Sequence, residues 1–161
     1  MLCIKISDSK KLIFELDPFI LSIKLNNINS INSSSIYYTY KTYNSDALIE
    51  IEFNDDIGCF LSLTLVNSDG LLQKVNYPLK KNYTYKYGLP CIKKLKNTQI
   101  ITKNLKLFLG DDYLTFCLNS SLPVEYFIND ILRFGLDKNG YIVTIDLINL
   151  TKKQVYIIKH L

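Results

Sequence analysis

Between Leu105 and Lys153 the chain contains three runs of alternating side chains: Tyr113–Leu118, Ile131–Leu136 and Tyr141–Ile148. Successive side chains of a strand point to opposite faces of a sheet, so alternation of this kind suits β structure and not a helix. The second and third runs are joined by Asp137-Lys138-Asn139-Gly140. An Asn-Gly pair between apolar runs is a strong hairpin signal, because a tight turn needs positive φ and glycine reaches it without steric cost. This segment is expected to fold as antiparallel strands hinged at Asn139-Gly140.

The rest of the chain carries the same pattern. Strand runs are read at 2–6, 12–16, 20–25, 36–43, 47–53, 57–66, 71–77, 100–102 and 105–109, punctuated by turn residues. In Ala47–Phe53 the alternation is clean: Ala47, Ile49, Ile51 and Phe53 share one face, and Glu50 and Glu52 occupy the other. Asn67-Ser68-Asp69-Gly70 and Lys103-Asn104 read as further turns between neighbouring strands, and 26–35 as a long polar loop. Val124–Asp130 and Thr151–Lys159 are the helix candidates, the second with a threonine where an N-cap belongs. The expected fold is mainly β, with antiparallel sheets arranged as a sandwich or partly open barrel and at most one or two short helices. An apolar fraction of 48% excludes intrinsic disorder, and 161 residues suit a single domain, 1–161.

The C-terminal segment resembles a small bacterial domain family. That family has an early strand of the form D-x-L-Y-I-x-L and a later hairpin of the form D-x-D-G-x-I-V-G-I-E-I-L-x-A-S. The matching residues are Asp112, Leu114, Phe116 and Leu118, then Asp137, Gly140, Ile142, Val143, Ile145, Asp146, Leu147 and Ile148. Thr144 stands where the family usually has glycine, Asp146 where it has glutamate, and Leu150-Thr151 replaces Ala-Ser. The resemblance covers about residues 105–153 and implies no activity, since the family has no established chemistry. Asp46–Ile51 is similar to the early strand as well, which suggests two related halves, 36–77 and 105–153.

Charge is distributed unevenly. Residues 1–70 hold five lysines against nine acidic residues, whereas residues 71–108 hold nine lysines and no acid. Tyrosines are interleaved with those lysines. Basic and aromatic residues together offer phosphate neutralisation and stacking faces, so Lys80, Lys81, Tyr83, Tyr85, Lys93 and Lys94 are candidate contacts for single-stranded nucleic acid. Against this stand a single arginine, Arg133, and the absence of a recognised nucleic-acid motif; a solvated lysine face is the plainer reading.

Cys3, Cys59, Cys91 and Cys117 are widely spaced and form no C-x-x-C pair. Cys59 and Cys117 lie inside apolar strand patterns, so reduced core cysteine is expected in preference to a metal site or a disulfide. With a mature-looking N-terminus and no apolar run of spanning length, the reading is cytoplasmic, with no membrane span. Catalytic signatures are missing. His160, the only imidazole, lies next to the last residue, and the carboxylate pairs Asp55-Asp56 and Asp111-Asp112 fall where aspartate commonly makes turns. No cofactor or metal is expected, and a non-enzyme is the expectation, a small enzyme or ligand-binding barrel built on the carboxylate pairs being the minor alternative.

The function expected from these features is inhibition by binding. The partner would be a cognate toxin, for example one of contact-dependent inhibition, neutralised by an immunity or antitoxin protein in the cytoplasm of a bacterium. Basic toxins would meet the acidic N-terminal sheet, with Tyr37, Tyr40, Glu50, Glu52, Asp55 and Asp56 as the contact residues. The alternative is a single-stranded nucleic-acid-binding module using 71–108.

Overall fold

The computed structural model describes residues 1–17, 19–25, 34–41, 46–68, 71–73, 83–93, 99–102 and 105–161. Among the described residues fifteen strands and one helix follow one another: β1 (Cys3–Ser7), β2 (Leu12–Leu16), β3 (Ile20–Leu25), β4 (Ser35–Lys41), β5 (Leu48–Asn54), β6 (Phe60–Val66), β7 (Leu72–Gln73), β8 (Thr84–Tyr87), β9 (Leu89–Ile92), β10 (Gln99–Thr102), β11 (Lys106–Leu109), β12 (Leu114–Cys117), β13 (Glu125–Asn129), β14 (Leu132–Leu136), β15 (Ile142–Leu147) and α1 (Lys152–Ile158). The mainly-β expectation holds. The described strands form a six-stranded sheet in the order β10-β4-β5-β6-β3-β2, a seven-stranded sheet in the order β7-β11-β12-β15-β14-β13-β8, and the β1-β9 pair; none closes into a barrel.

The two large sheets share one core. Ile49, Ile51, Phe53, Phe60 and Leu63 from the first pack in the same buried cluster as Leu107, Leu114, Phe116, Phe134 and Ile145 from the second. A chain of edge-to-face rings runs Tyr38–Phe53–Phe60–Phe134, the last pair 5.2 Å apart and crossing from one sheet to the other. Such pairs prefer this geometry because the positive ring edge meets the negative face.

The Asn139-Gly140 hairpin joins β14 to β15. Gly140 has φ +79°, its N–H donates to the Asp137 carbonyl, and the Asp137 carboxylate accepts the N–H groups of Asn139 and Tyr141. The faces read for Ala47–Phe53 are the observed ones: Ala47, Ile49, Ile51 and Phe53 are buried, and Glu50 and Glu52 lie opposite, half-buried. Opposite them on β6, Leu61 is an extra residue in the register, and this bulge lets Phe60 as well as Leu63 and Leu65 face the core.

The sheets are mainly antiparallel, as expected, and among the described strands only β10, β7 and β8, each at a sheet edge, pair in parallel, with β4, β11 and β13. Two local expectations are corrected. The chain after Asn67 does not turn back on β6: β7 joins the other sheet, and Leu72 pairs with Leu107. Lys103-Asn104, read as a turn, lie outside the described residues; β10 and β11 on either side of them enter different sheets. Finally, the helix candidate Val124–Asp130 is strand β13. Its aromatic and β-branched residues suit a pleated surface, and Asp130, at φ +56°, turns it into β14. Thr151–Lys159 holds α1, the one helix among the described residues, with Thr151 and Gln154 forming a reciprocal capping box.

The N-terminal residues are stitched to distant parts of the chain. Met1 O accepts the Ile142 N–H, Cys3 N–H donates to Gly140 O, and β1 lies antiparallel to β9. The buried Asn129 carboxamide closes both its hydrogen bonds on the backbone of Lys10, each at 2.7 Å. A disulfide joins Cys59 to Cys91. That corrects the expectation of reduced cysteines for this pair, while Cys3 and Cys117 are outside any disulfide. The correction also removes the cysteines as an argument for a reducing compartment, since disulfides persist chiefly in oxidising ones.

Candidate functional site

The outer face of the six-stranded sheet follows from its registers. One row runs Glu15–Ser22–Thr64–Glu50–Thr39 across β2, β3, β6, β5 and β4, and the next contains Ser62, Glu52 and Tyr37. The period-two pattern turns these polar positions away from the core, together with Ile13, Ile20, Val66, Leu48 and Lys41 on the same face.

Glu52 is the centre of this face. Its Oε1 accepts hydrogen bonds from Ser35 Oγ at 2.6 Å and Tyr37 Oη at 3.2 Å, and its Oε2 accepts one from Ser62 Oγ at 2.7 Å. Three hydroxyls from β4 and β6 therefore fix the carboxylate of β5 between them. Burial, followed by the nearby charge of Glu52, pushes the Tyr37 hydroxyl above its ordinary pKa, so this hydroxyl stays protonated and a donor. Glu50 accepts a longer hydrogen bond from Thr39 at 3.4 Å. Ser22, also on this face, is buried and its hydroxyl has no hydrogen-bond partner.

The structure brings together part of the expected acidic contact set. Tyr37 pairs directly with Glu52 and shares its face with Glu50. Asp55 and Asp56 follow β5 in the turn to β6, where Asp55 is half-buried, accepts the Ser34 hydroxyl at 2.8 Å and donates its N–H to the Ser34 carbonyl. Asp56 is exposed. Tyr40 is the exception and is withdrawn from the contact set: it pairs with Ile49 on the core face and is 3% exposed. Its offset of three residues from Tyr37 puts it on the opposite side of the strand.

Of the lysine- and tyrosine-rich set, Lys80, Lys81 and Lys94 lie outside the described residues. Lys93 is exposed. Tyr83 and Tyr85 sit at the rim of the seven-stranded sheet, both in ring contact with the buried Tyr126: Tyr83 is edge-on at 4.6 Å and Tyr85 stacked at 6.2 Å. Both rings thus spend part of their surface on Tyr126.

A further cluster lies beside them. Arg133 donates from Nε to Asp146 Oδ2 at 2.7 Å and sets its guanidinium 4.6 Å from the Tyr126 ring. Asp146 is fully buried, and burial raises its pKa against the opposing pull of Arg133 and Thr115. A cavity of about 250 Å³ lined by Asp112, Tyr113, Arg133, Ile148 and Asn149 reaches the arginine. Counting outward from the observed hairpin does not find this pair, because a one-residue shift between Gly135 and Leu136 is what brings Arg133 opposite Asp146.

The remaining chemistry-bearing residues are dispersed. Asp111 and Asp112 are exposed between β11 and β12. His160 is exposed and Nδ1 lies 2.7 Å from the Tyr156 carbonyl. Among the described residues, no three His, Cys, Asp or Glu side chains gather as a metal site, and no helix is long and apolar enough to cross a membrane. No protein-family model matches the chain, and no curated protein matches its sequence.

Proposed function

We propose that this chain is a protein-binding inhibitor, an immunity or antitoxin protein that neutralises a cognate bacterial toxin by direct contact. The contact surface is the outer face of the six-stranded sheet, presenting Glu50, Glu52 and Tyr37, with Asp55 and Asp56 at its end. One observation carries this reading: the hydroxyls of Ser35, Tyr37 and Ser62 hold the Glu52 carboxylate in place. A charge fixed by its own scaffold loses little conformational freedom when a partner arrives, and fixed charge of one sign steers an oppositely charged partner. The partner that suits it is a toxin with a basic surface.

The test begins with co-purification from the native host to obtain the partner. Association kinetics are then measured for the wild type, for Glu50→Lys, and for Glu52→Gln, which keeps the shape of the side chain and removes its charge. Slower association with both variants, with a weaker dependence on salt and an unchanged unfolding midpoint, supports the reading. Unchanged association kinetics in both would remove this face from the function.

A further inference from the structure

We infer that the outer edge of β8 is a second binding site, which takes an extended, acidic segment of a partner protein as an added strand. The inference does not depend on the acidic face of the other sheet. β8 is the last strand of the seven-stranded sheet, pairs only with β13 among the described strands, and is exposed at all four residues. No other edge strand of the two large sheets is exposed along its whole described length.

The direction of its backbone groups follows from one bond. Gly88 N–H donates inward to the Ile128 carbonyl at 2.9 Å. Backbone groups of a strand alternate in direction, so Lys86 also faces β13, and the N–H and C=O of Tyr85 and Tyr87 point away from the sheet. Those groups form a row of unpaired donors and acceptors, the template that strand addition uses.

The features that usually blunt such an edge are missing or occupied here. β8 contains no proline, and its register with β13 is unbroken from Thr84 to Tyr87. A free lysine would repel an incoming strand by its hydration, but the Lys86 ammonium is paired with Glu125 and lies over the Phe127 ring. Flanking side chains supply contact area: Tyr85 is 47% exposed and Tyr87 79%. Strand-addition sites draw affinity from main-chain bonds and specificity from alternate side chains, and tyrosine is favoured at interface anchors.

Charge selects the occupant. Residues 71–108 contain no acidic residue, and of their described lysines Lys86 stands on β8 itself, paired with Glu125, and Lys93 is exposed just beyond β9. An acidic strand is attracted to this stretch and a basic one repelled. Single-stranded nucleic acid shares the charge preference but has no use for outward N–H and C=O groups at strand spacing.

The test uses the full-length protein and three labelled probes: an octapeptide of alternating glutamate and valine, its lysine counterpart, and a 15-nucleotide oligothymidylate. The acidic peptide is expected to bind, the basic one not, and binding should slow exchange of the Tyr85 and Tyr87 amides while leaving the inward Lys86 amide unchanged. Tyr87→Pro removes one outward N–H without touching a bond to β13. It should weaken the peptide about tenfold, the order expected for one lost hydrogen bond, whereas Tyr87→Ala keeps the main-chain bond. Should Tyr87→Pro fail to fold, the amide exchange of the wild type decides. Failure of the acidic peptide to bind, binding without protection of Tyr85 and Tyr87, or tighter binding of the oligonucleotide overturns the inference. So does dimerisation of the free protein that Tyr87→Pro abolishes, which would make a second copy the occupant.

Discussion

Arg133 and Asp146 face each other across the β14–β15 pair, on the side of the sheet turned away from the shared core, yet the carboxylate is completely buried. The bond between them, 2.7 Å long, is the one described ion pair with a partner wholly out of solvent. Removing one member strands a charge, whereas removing both does not.

Arg133→Met is therefore expected to cost about 3–5 kcal/mol, the range for leaving a buried charge uncompensated. The double variant Arg133→Met, Asp146→Leu should recover most of that loss. Urea denaturation of the two variants and the wild type checks this; equal losses in the single and double variants would show that the pair is not coupled.

The pH dependence of the same group has a definite sign. Burial raises the native pKa of Asp146, with Arg133 and Thr115 only partly opposing it. Its contribution to stability is then complete below the unfolded value of about 3.9 and is lost as pH rises through the raised native value. Relative to Asp146→Asn, the wild type should gain stability between about pH 7 and pH 4. Denaturation midpoints across that interval check it, and a gap that narrows on acidification contradicts it.

Gly135 is needed for space and not for backbone freedom. A Cβ there would collide with Thr144 Oγ1 and stand 2.8 Å from both Pro123 Cβ and Tyr126 Cε1. Gly135→Ala should cost about 1–3 kcal/mol as overpacking. Adding Thr144→Gly removes one of the three contacts and should restore part of the loss, measured by the same denaturation curves.

The Cys59–Cys91 disulfide predicts a thiol count. Under denaturing, non-reducing conditions two thiols should titrate, Cys3 and Cys117, and four after reduction. With the bonded pair separated by 32 positions in sequence, loop-closure entropy makes reduction cost about 3–4 kcal/mol. Four reactive thiols before reduction would remove the bond.

Local geometry was the legible part of this sequence. The Gly140 turn, the two faces of Ala47–Phe53 and the Thr151 cap each depend on residues within a few positions of one another. Tyr40 was legible too, since an odd offset from Tyr37 already separates them; the error lay in treating two nearby tyrosines as one surface. Val124–Asp130 is too short for periods of 2 and 3.6 to differ, so propensity alone had to decide it. The parallel edges, the Cys59–Cys91 bond and the Asn129 clamp on Lys10 left no local trace, because their partners are fixed by how the sheets stack. For the candidate site, Tyr37 and Glu52 could be placed together by a hairpin. The hydroxyl of Ser62 on Glu52 could not, because it depends on the bulge at Leu61.

The bonds of Met1, Cys3 and Lys10 to Ile142, Gly140 and Asn129 also impose an order of events during synthesis. Residues 1–10 leave the ribosome well before any of those three partners has been made. At about 5–20 residues per second the groups of Met1, Cys3 and Lys10 that bond to these three partners wait several seconds or more on water, although β1 can pair earlier with β9. The bonds of Met1 and Lys10 are thus closed later than those between β1 and β9. A nascent chain halted short of residue 129 should leave the segments around Met1 and Lys10 more open to protease than one extended past residue 142.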